Sequence, residues 1–162
     1  YRSRGEWRIA GLALKKDNSP DSAAADWVFS QKEILVQNGS VVWTDEFNPL
    51  EREKPALNLN QVSWVLRNTA RHHLWRLDAT PPNGWGAPFT LMGDLRRGLL
   101  STHAGRVKDW SGQLHAEFSD VNLSQLDPHL PWKVNTSQGQ GALRMWLDLR
   151  HGNIQQATAD LV

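Results

Sequence analysis

The sequence contains no cysteine. Disulfides and thiolate metal sites are therefore excluded, although the compartment stays open, because envelope proteins can lack cysteine too. Nor is there an excess of one charge: 18 Lys and Arg stand against 17 Asp and Glu, a net charge of +1. Nothing in that balance predicts the clustered basic face of a nucleic-acid binder, so no nucleic-acid partner is expected. No apolar run approaches the roughly 20 residues of a membrane span. The chain opens Tyr1-Arg2-Ser3-Arg4, with no initiator Met and no signal-peptide pattern, and it ends in what reads as mid-strand. The expectation is a piece of something longer, with any membrane anchor outside it.

Signatures of catalysis are missing as well. There is no Gly-x-Ser-x-Gly, no His-Glu-x-x-His, no Gly-rich phosphate loop and no paired-Cys zinc pattern. The six histidines are scattered apart from His72-His73. Neighbours on a strand point to opposite faces, so that pair cannot share a metal. Asp45-Glu46 diverges for the same reason, unlike a glycosidase pair. Asn38-Gly39-Ser40, Asn122-Leu123-Ser124 and Asn135-Thr136-Ser137 match glycosylation sequons, but each also fits a turn or cap. No enzyme activity, cofactor or metal is expected.

What is present is tryptophan, nine residues against one tyrosine, in a chain of 162 residues that is long enough for one domain with a core. The most pointed stretch is Gln31 to Glu46, where Asn38-Gly39 separates two β-branched runs. That dipeptide is a strong two-residue hairpin signal. It predicts Val36 opposite Val41, Ile34 opposite Trp43 and Lys32 opposite Asp45, all on one face. The other face would carry Glu33, Leu35, Gln37, Ser40, Val42 and Thr44.

Elsewhere the apolar residues recur mostly at period two. Glu6 to Leu14 reads as a strand and Lys15 to Pro20 as a turn. Asp21 or Ser22 would cap a short helix through Ser30, with Ala24, Trp27 and Val28 as its apolar stripe packed over an end of the sheet. Asn48 to Lys54 reads as a charged loop closed by Pro55. Leu57 to Asn68 switches its apolar parity, from Leu57 and Leu59 to Val62, Trp64 and Leu66, which predicts a bulge near Asn60-Gln61. Arg71 to Ala79 puts His73, Trp75, Leu77 and Ala79 on one side, and Pro81 to Gly86 is a loop. Phe89 to Leu95 and Ser111 to Val121 alternate, with a partly disordered connection expected over Gly98 to Trp110. Asn122 to Trp132 has Leu123, Leu126 and Leu130 at helical spacing, limited by Pro128. Gly139 to Arg150 puts Leu143, Met145, Leu147 and Leu149 on one face, with Trp146 the exception, and Asn153 to Leu161 begins another strand. About nine strands, two short helices and no βαβ alternation predict a mostly β, antiparallel architecture.

Four stretches, in order, carry a family resemblance. Ile34–Glu46 resembles the inner strand, Asn/Gly turn and Trp-x-Asp strand of YhdP-type members of the AsmA-like family of Gram-negative bacteria. Leu66–Pro82 is similar to the family's paired strands running into a Pro-Pro loop. Gly112–Leu123 with Leu130-Pro131-Trp132 resembles its strand and short-helix element, and Gly139–Leu149 its Gly-x-Gly strand with an internal Trp. The resemblance implies that residues 1–162 are a single segment from the N-terminal half of a longer bridge-like lipid transfer protein. It implies a long antiparallel sheet curled into a U-shaped groove, a β-taco, with one or two short helices. It further implies a periplasmic segment of a protein anchored in the inner membrane, passing phospholipid to the outer membrane and supporting its permeability barrier. Partners would be phospholipid acyl chains, membranes reached through other parts of the protein, and envelope proteins at its ends.

An apolar trough needs only aliphatic and aromatic side chains at period two. The groove-lining candidates are Leu143, Met145, Leu147 and Leu149, then Leu114 and Phe118, Phe89 and Leu91, Trp75 and Leu77, and Ile34, Val36, Val41 and Trp43. The same alternation would fill the core of a β-sandwich. The competing reading is therefore a Trp-rich sandwich that binds a glycan or a protein. The two differ in what covers the apolar face.

Overall fold

The structure, a computed structural model, describes residues 2–3, 6–9, 12–15, 23–43, 57–122 and 139–162. The elements in chain order are β1 (Arg2–Ser3), β2 (Glu6–Ile9), β3 (Leu12–Lys15), α1 (Ala23–Ser30), β4 (Glu33–Trp43), β5 (Leu57–Asn68), β6 (His72–Thr80), β7 (Phe89–Arg97), β8 (Trp110–Asn122), β9 (Gln140–Arg150) and β10 (Asn153–Leu161). The protein is mostly β, as expected. Strands β4 to β10 form one antiparallel sheet in the order β10-β9-β8-β7-β6-β5-β4, and it does not close into a barrel. Each strand pairs with its neighbours in sequence. Strands β1 to β3 form a separate small sheet, so the single strand expected over Glu6 to Leu14 is in fact the antiparallel pair β2 and β3. Among the described residues no helix is long and apolar enough to cross a membrane.

The hairpin expected at Asn38-Gly39 does not form. β4 runs straight through that dipeptide and pairs with β5 instead. Ile34 faces Leu66, Val36 faces Trp64, Val41 faces Leu59 and Trp43 faces Leu57. A type I′ turn needs positive φ at both central residues. Asn38 has φ 51°, but Gly39 has no positive φ. The freedom of Asn-Gly is used for a β-bulge, which inserts one extra residue without reversing the chain. Lys32 and Trp43 consequently lie at opposite ends of the strand. The predicted Lys32–Asp45 pairing is lost, and Asp45 lies outside the described residues.

A second bulge answers the first. The break expected near Asn60-Gln61 is present, with Gln61 at φ 50° and the β5–β6 register shifting between Asn60 and Ser63. From Val36 to Gly39, β4 gains one residue on β5; from Gly39 to Val41, β5 gains one back. The two insertions cancel. The two-residue turn with both φ values positive occurs at His151 (50°) and Gly152 (71°), between β9 and β10.

The connection expected to be partly disordered, Gly98 to Trp110, is ordered. It holds a 3-10 turn over Val107–Asp109, and Ser101 Oγ donates to Asp109 at 2.7 Å. Its end, Trp110, starts β8 and is buried. Helix α1 forms as expected, with its cap region outside the described residues. Its packed residues are Ala25 and Phe29, one turn apart, whereas Trp27 of the predicted stripe is exposed. The short helix expected within Asn122 to Trp132 lies, beyond the end of β8, outside the described residues.

Two glycines mark backbone approaches that no side chain tolerates. At Gly112, φ is 148° and a Cβ would lie 2.1 Å from the Asp94 carbonyl; at Gly86, φ is 136° and it would lie 2.1 Å from that of Asp120. Gly112→Ala is expected to destabilise the fold on the order of 3 kcal/mol, through overlap and backbone strain. Gly98→Ala, whose Cβ would meet nothing nearer than 3.9 Å, is expected to change stability by about 0.5 kcal/mol or less. Urea denaturation of the two variants checks the difference.

Candidate functional site

Residues directly opposite on neighbouring strands share a face of the sheet. Following the register across the strands yields four rows on one face. The first contains Asn68, His73, Leu95, Gly112, Leu149 and Ile154. The second contains Ile34, Leu66, Trp75, Gly93, Leu114, Leu147 and Ala157, and the third Val36, Trp64, Leu77, Leu91, Ala116, Met145 and Ala159. The fourth contains Ala79, Phe89, Phe118, Leu143 and Leu161. Apart from Asn68 and His73, every member is apolar or glycine.

The register thus brings the predicted lining residues to one face. Val41 and Trp43 reach it through their positions opposite Leu59 and Leu57, on the far side of the two bulges. Without those bulges Val41 and Trp43 would have the opposite parity to Ile34 and Val36. Where Gly93 stands opposite Trp75, the absent side chain makes room for the indole, which a Cβ would meet at 2.2 Å. Phe89 and Phe118 stack with centroids 5.1 Å apart.

This face is closed at its margins and open in its middle. At the end where β6 begins, α1 and the 98–109 connection lie over it. Phe29 packs edge-on against Trp110 (4.5 Å) and His73 (5.4 Å), and His73 stacks on Trp110 at 4.7 Å. Leu66, Leu95 and Trp110 are buried there. Asn68 fastens the helix: its Nδ2 donates to the Gln31 carbonyl at 2.7 Å and to the Val28 carbonyl at 3.3 Å. Asp26 accepts from the Gly105 N–H at 2.6 Å and lies 3.0 Å from His103 Nδ1. At the other end the Pro81–Pro88 loop folds back, with Gly86 bridging to Val121. A hollow of about 250 Å³ remains beside it, lined by Leu57, Leu59, Trp85, Phe89, Leu91 and Phe118. Between these margins Trp75, Leu77, Leu91, Leu114, Met145 and Leu147 stay only half-buried.

The reverse face carries the charged pairs, but Leu35, Val65, Leu74 and Met92 lie on it too, and a hollow of about 410 Å³ is lined mostly by its residues, Val65, Leu74 and Met92 among them. Arg76 donates from Nε and Nη2 to both carboxyl oxygens of Asp78 at 2.8 Å, and that guanidinium holds the Asp78 carboxyl below the usual carboxylate range. Arg67 pairs with Glu33 at 2.8 Å, Arg144 with Glu117 at 3.4 Å, and Gln113 donates to Asp148 at 2.9 Å. Such exposed pairs add little stability; what they establish is which side of the sheet is wet. Trp146, the apolar exception of β9, lies on this face beside His115.

Several residues of the apolar face were not among the lining candidates. Val62, Trp64 and Leu66 have the required parity, but the slip in β5 obscured which side they shared with their neighbours. Ala116 alternates with Leu114 and Phe118 on the apolar side of its strand, but it is too small to count as lining. Trp110 was hidden in a connection without period.

A family model described as YhdP protein matches residues 3–162. No curated protein and no solved structure matches the chain.

His73 supplies a test of how the helix is seated. Its Nδ1 lies 2.8 Å from Asn68 Oδ1. The Asn68 Nδ2 is already donating, so Oδ1 accepts and the imidazole proton sits on Nδ1. Nε2 is buried without a partner. Burial, helped by the charges of Arg97 and His72, pushes the His73 pKa down to about 4. A folded pKa below the unfolded 6.5 means that the stabilisation is complete above pH 6.5 and is lost as pH falls towards 4. Urea unfolding at pH 7 and pH 4.5 is expected to show wild type losing about 2 kcal/mol more than His73→Gln, which has no proton to gain.

Proposed function

The chain belongs to the YhdP family, and from that premise, which is consistent with lipid transport, we propose that its open apolar face carries the acyl chains of phospholipids moving between the inner and outer membranes. The observation that supports this reading most is the unbroken apolar face across all seven strands, with its centre half-buried rather than sealed.

The dimensions suit the cargo. From Leu143 to Leu149 is six strand steps, about 20 Å. Half the hydrocarbon core of a bilayer is about 15 Å thick. An acyl chain laid along the strands therefore fits the width of the band. Across seven strands the band extends about 29 Å. Exposing a 16-carbon chain to water costs on the order of 12 kcal/mol, and that cost makes unaided transfer slow. A surface that keeps the chain covered at every step lowers the barrier without any reacting group. The lining residues proposed to touch the chains are Leu143, Met145, Leu147, Leu149, Leu114, Phe118, Phe89, Leu91, Trp75, Leu77, Ile34, Val36, Val41 and Trp43. The setting is the periplasm, with the sheet curled around the chains.

The sandwich alternative requires a second sheet over the apolar face. The one other sheet among the described residues has strands of two to four residues, and the face's central residues keep part of their surface accessible. That arrangement favours the groove.

Native mass spectrometry of gently purified protein is expected to find phospholipid bound to wild type and at least about tenfold less bound to Leu147→Asp. The scale follows from placing a carboxylate against an acyl chain. Circular dichroism should show the same β content in both, because Leu147 is only half-buried. Wild type free of lipid, or a Leu147→Asp that loses lipid only by unfolding, would overturn the proposal.

A further inference from the structure

The near-neutral net charge conceals a strong sorting of charge along the strands. One end of the large sheet is built from residues 31–33, 67–72, 96–111 and 150–153. It holds eight Lys or Arg and two acids, Glu33 and Asp109; two more acids, Asp94 and Asp148, stand on the cross-strand row that carries Glu33 and Arg67, where Asp94 pairs with His72 and Asp148 accepts from Gln113. Among the described residues, the other end, residues 57–58, 80–89, 120–122, 140–142 and 160–162, holds two acids, Asp120 and Asp160, and no Lys or Arg. Both acids at the basic end are already engaged, Glu33 with Arg67 at 2.8 Å and Asp109 with Arg106 at 3.9 Å. Asp26 of α1, nearby, is turned in to Gly105 and His103.

Much of the remaining positive charge is not neutralised. Arg71 and Arg97 direct their guanidinium groups to backbone carbonyls, Arg71 to that of Arg97 and Arg97 to that of Ala70, and a carbonyl carries no net charge. Arg97 Nε is buried with no acceptor. Arg96 and Arg150 are exposed. The same loop that brings Arg96 and Arg97 continues into two adjacent leucines: Leu99 is 79% exposed and Leu100 is 95% exposed. Val107, eight residues on from Leu99, is exposed as well.

Uncovered leucines set among uncompensated cations fit one kind of surface. Arginines and lysines gain by meeting anionic headgroups, and leucines gain by leaving water for the acyl boundary just beneath them. A soluble polyanion would satisfy the cations and leave the leucines exposed. A neutral apolar partner would leave the cations without counter-charge. We propose that this strand-end surface docks the protein on an anionic phospholipid bilayer, with the basic side chains on lipid phosphates and Leu99-Leu100 entering the acyl-chain boundary. The docking surface is separate from the apolar sheet face and does not depend on that face carrying lipid.

The test is flotation of the 162-residue chain with vesicles of phosphatidylcholine alone or phosphatidylcholine mixed with phosphatidylglycerol. Wild type is expected to float with the mixed vesicles, and to release at high salt. Arg96→Gln with Arg150→Gln, and separately Leu99→Ser with Leu100→Ser, should each weaken partitioning about tenfold or more. All four positions are exposed, so circular dichroism should be unchanged. Val42→Ser, at an exposed apolar residue of the reverse face away from this end, should float as wild type does. Equal flotation on both vesicle types, or none, would overturn the proposal. Loss with the arginine pair alone would overturn it in favour of a soluble polyanion. Loss with Val42→Ser would overturn it by making capture a property of any exposed apolar side chain rather than of this end.

Discussion

Side-chain parity is the constraint on which this protein depends. A strand turns alternate residues to opposite faces, and a one-residue slip exchanges the faces completely. Seven strands present one apolar side because the register keeps apolar residues opposite one another from β4 to β10, through further slips between Phe118 and Val121 in β8 and between Ile154 and Gln156 in β10. The extra residue at Asn38 and the extra residue at Gln61 threaten it, and they are placed so that each undoes the other. Both sit in left-handed conformations that cost a non-glycine residue something. The sheet tolerates that cost because the alternative would turn half of β4, or half of β5, inside out.

An apolar sheet face needs cover, and here the cover is uneven. The end near His73 is sealed by Phe29, Trp110 and the 98–109 connection. The other end is partly covered by the Trp85 loop. Across the middle, Trp75, Leu77, Leu91 and Leu147 remain half-buried. Exposed contiguous apolar surface is uncommon in soluble domains without a use for it. A helix fastened at one margin by Asn68 and Asp26, over a face left open beyond it, is economical for a protein that must keep a surface available without losing its fold.

Charge obeys the same geometry at a larger scale. An antiparallel meander sends alternate turns to opposite ends, so residues distant in sequence gather wherever the turns gather. Arg67, Arg96 and Arg150 lie at the ends of three different strands and share one end of the sheet. A balance of 18 against 17 therefore says nothing about local potential. The absence of a basic run along the chain was no guide to a basic surface on the fold. His73 registers that surface from within, held neutral by its burial and by the charges of Arg97 and His72.

Local periodicity was enough to identify strands β5 to β10, their apolar sides and the slip in β5, because alternation is written directly into neighbouring residues. The aliphatic series Leu143, Met145, Leu147 and Leu149 needed no partner to be recognised. The conformational licence of Asn38-Gly39 was equally plain, but its use was not: positive φ at Asn38 permits a turn or a bulge, and pairing with β5 decided for the bulge. The packing side of α1 was decided in the same way, since Ala25 and Phe29 found Gly105 and Trp110 while Trp27 found water. The sequence by itself determined which residues would seek cover and at what period. Only the tertiary structure decided which neighbours would provide it, where it would stop, and which charges would meet, because those depend on strand order and register rather than on adjacency in the chain.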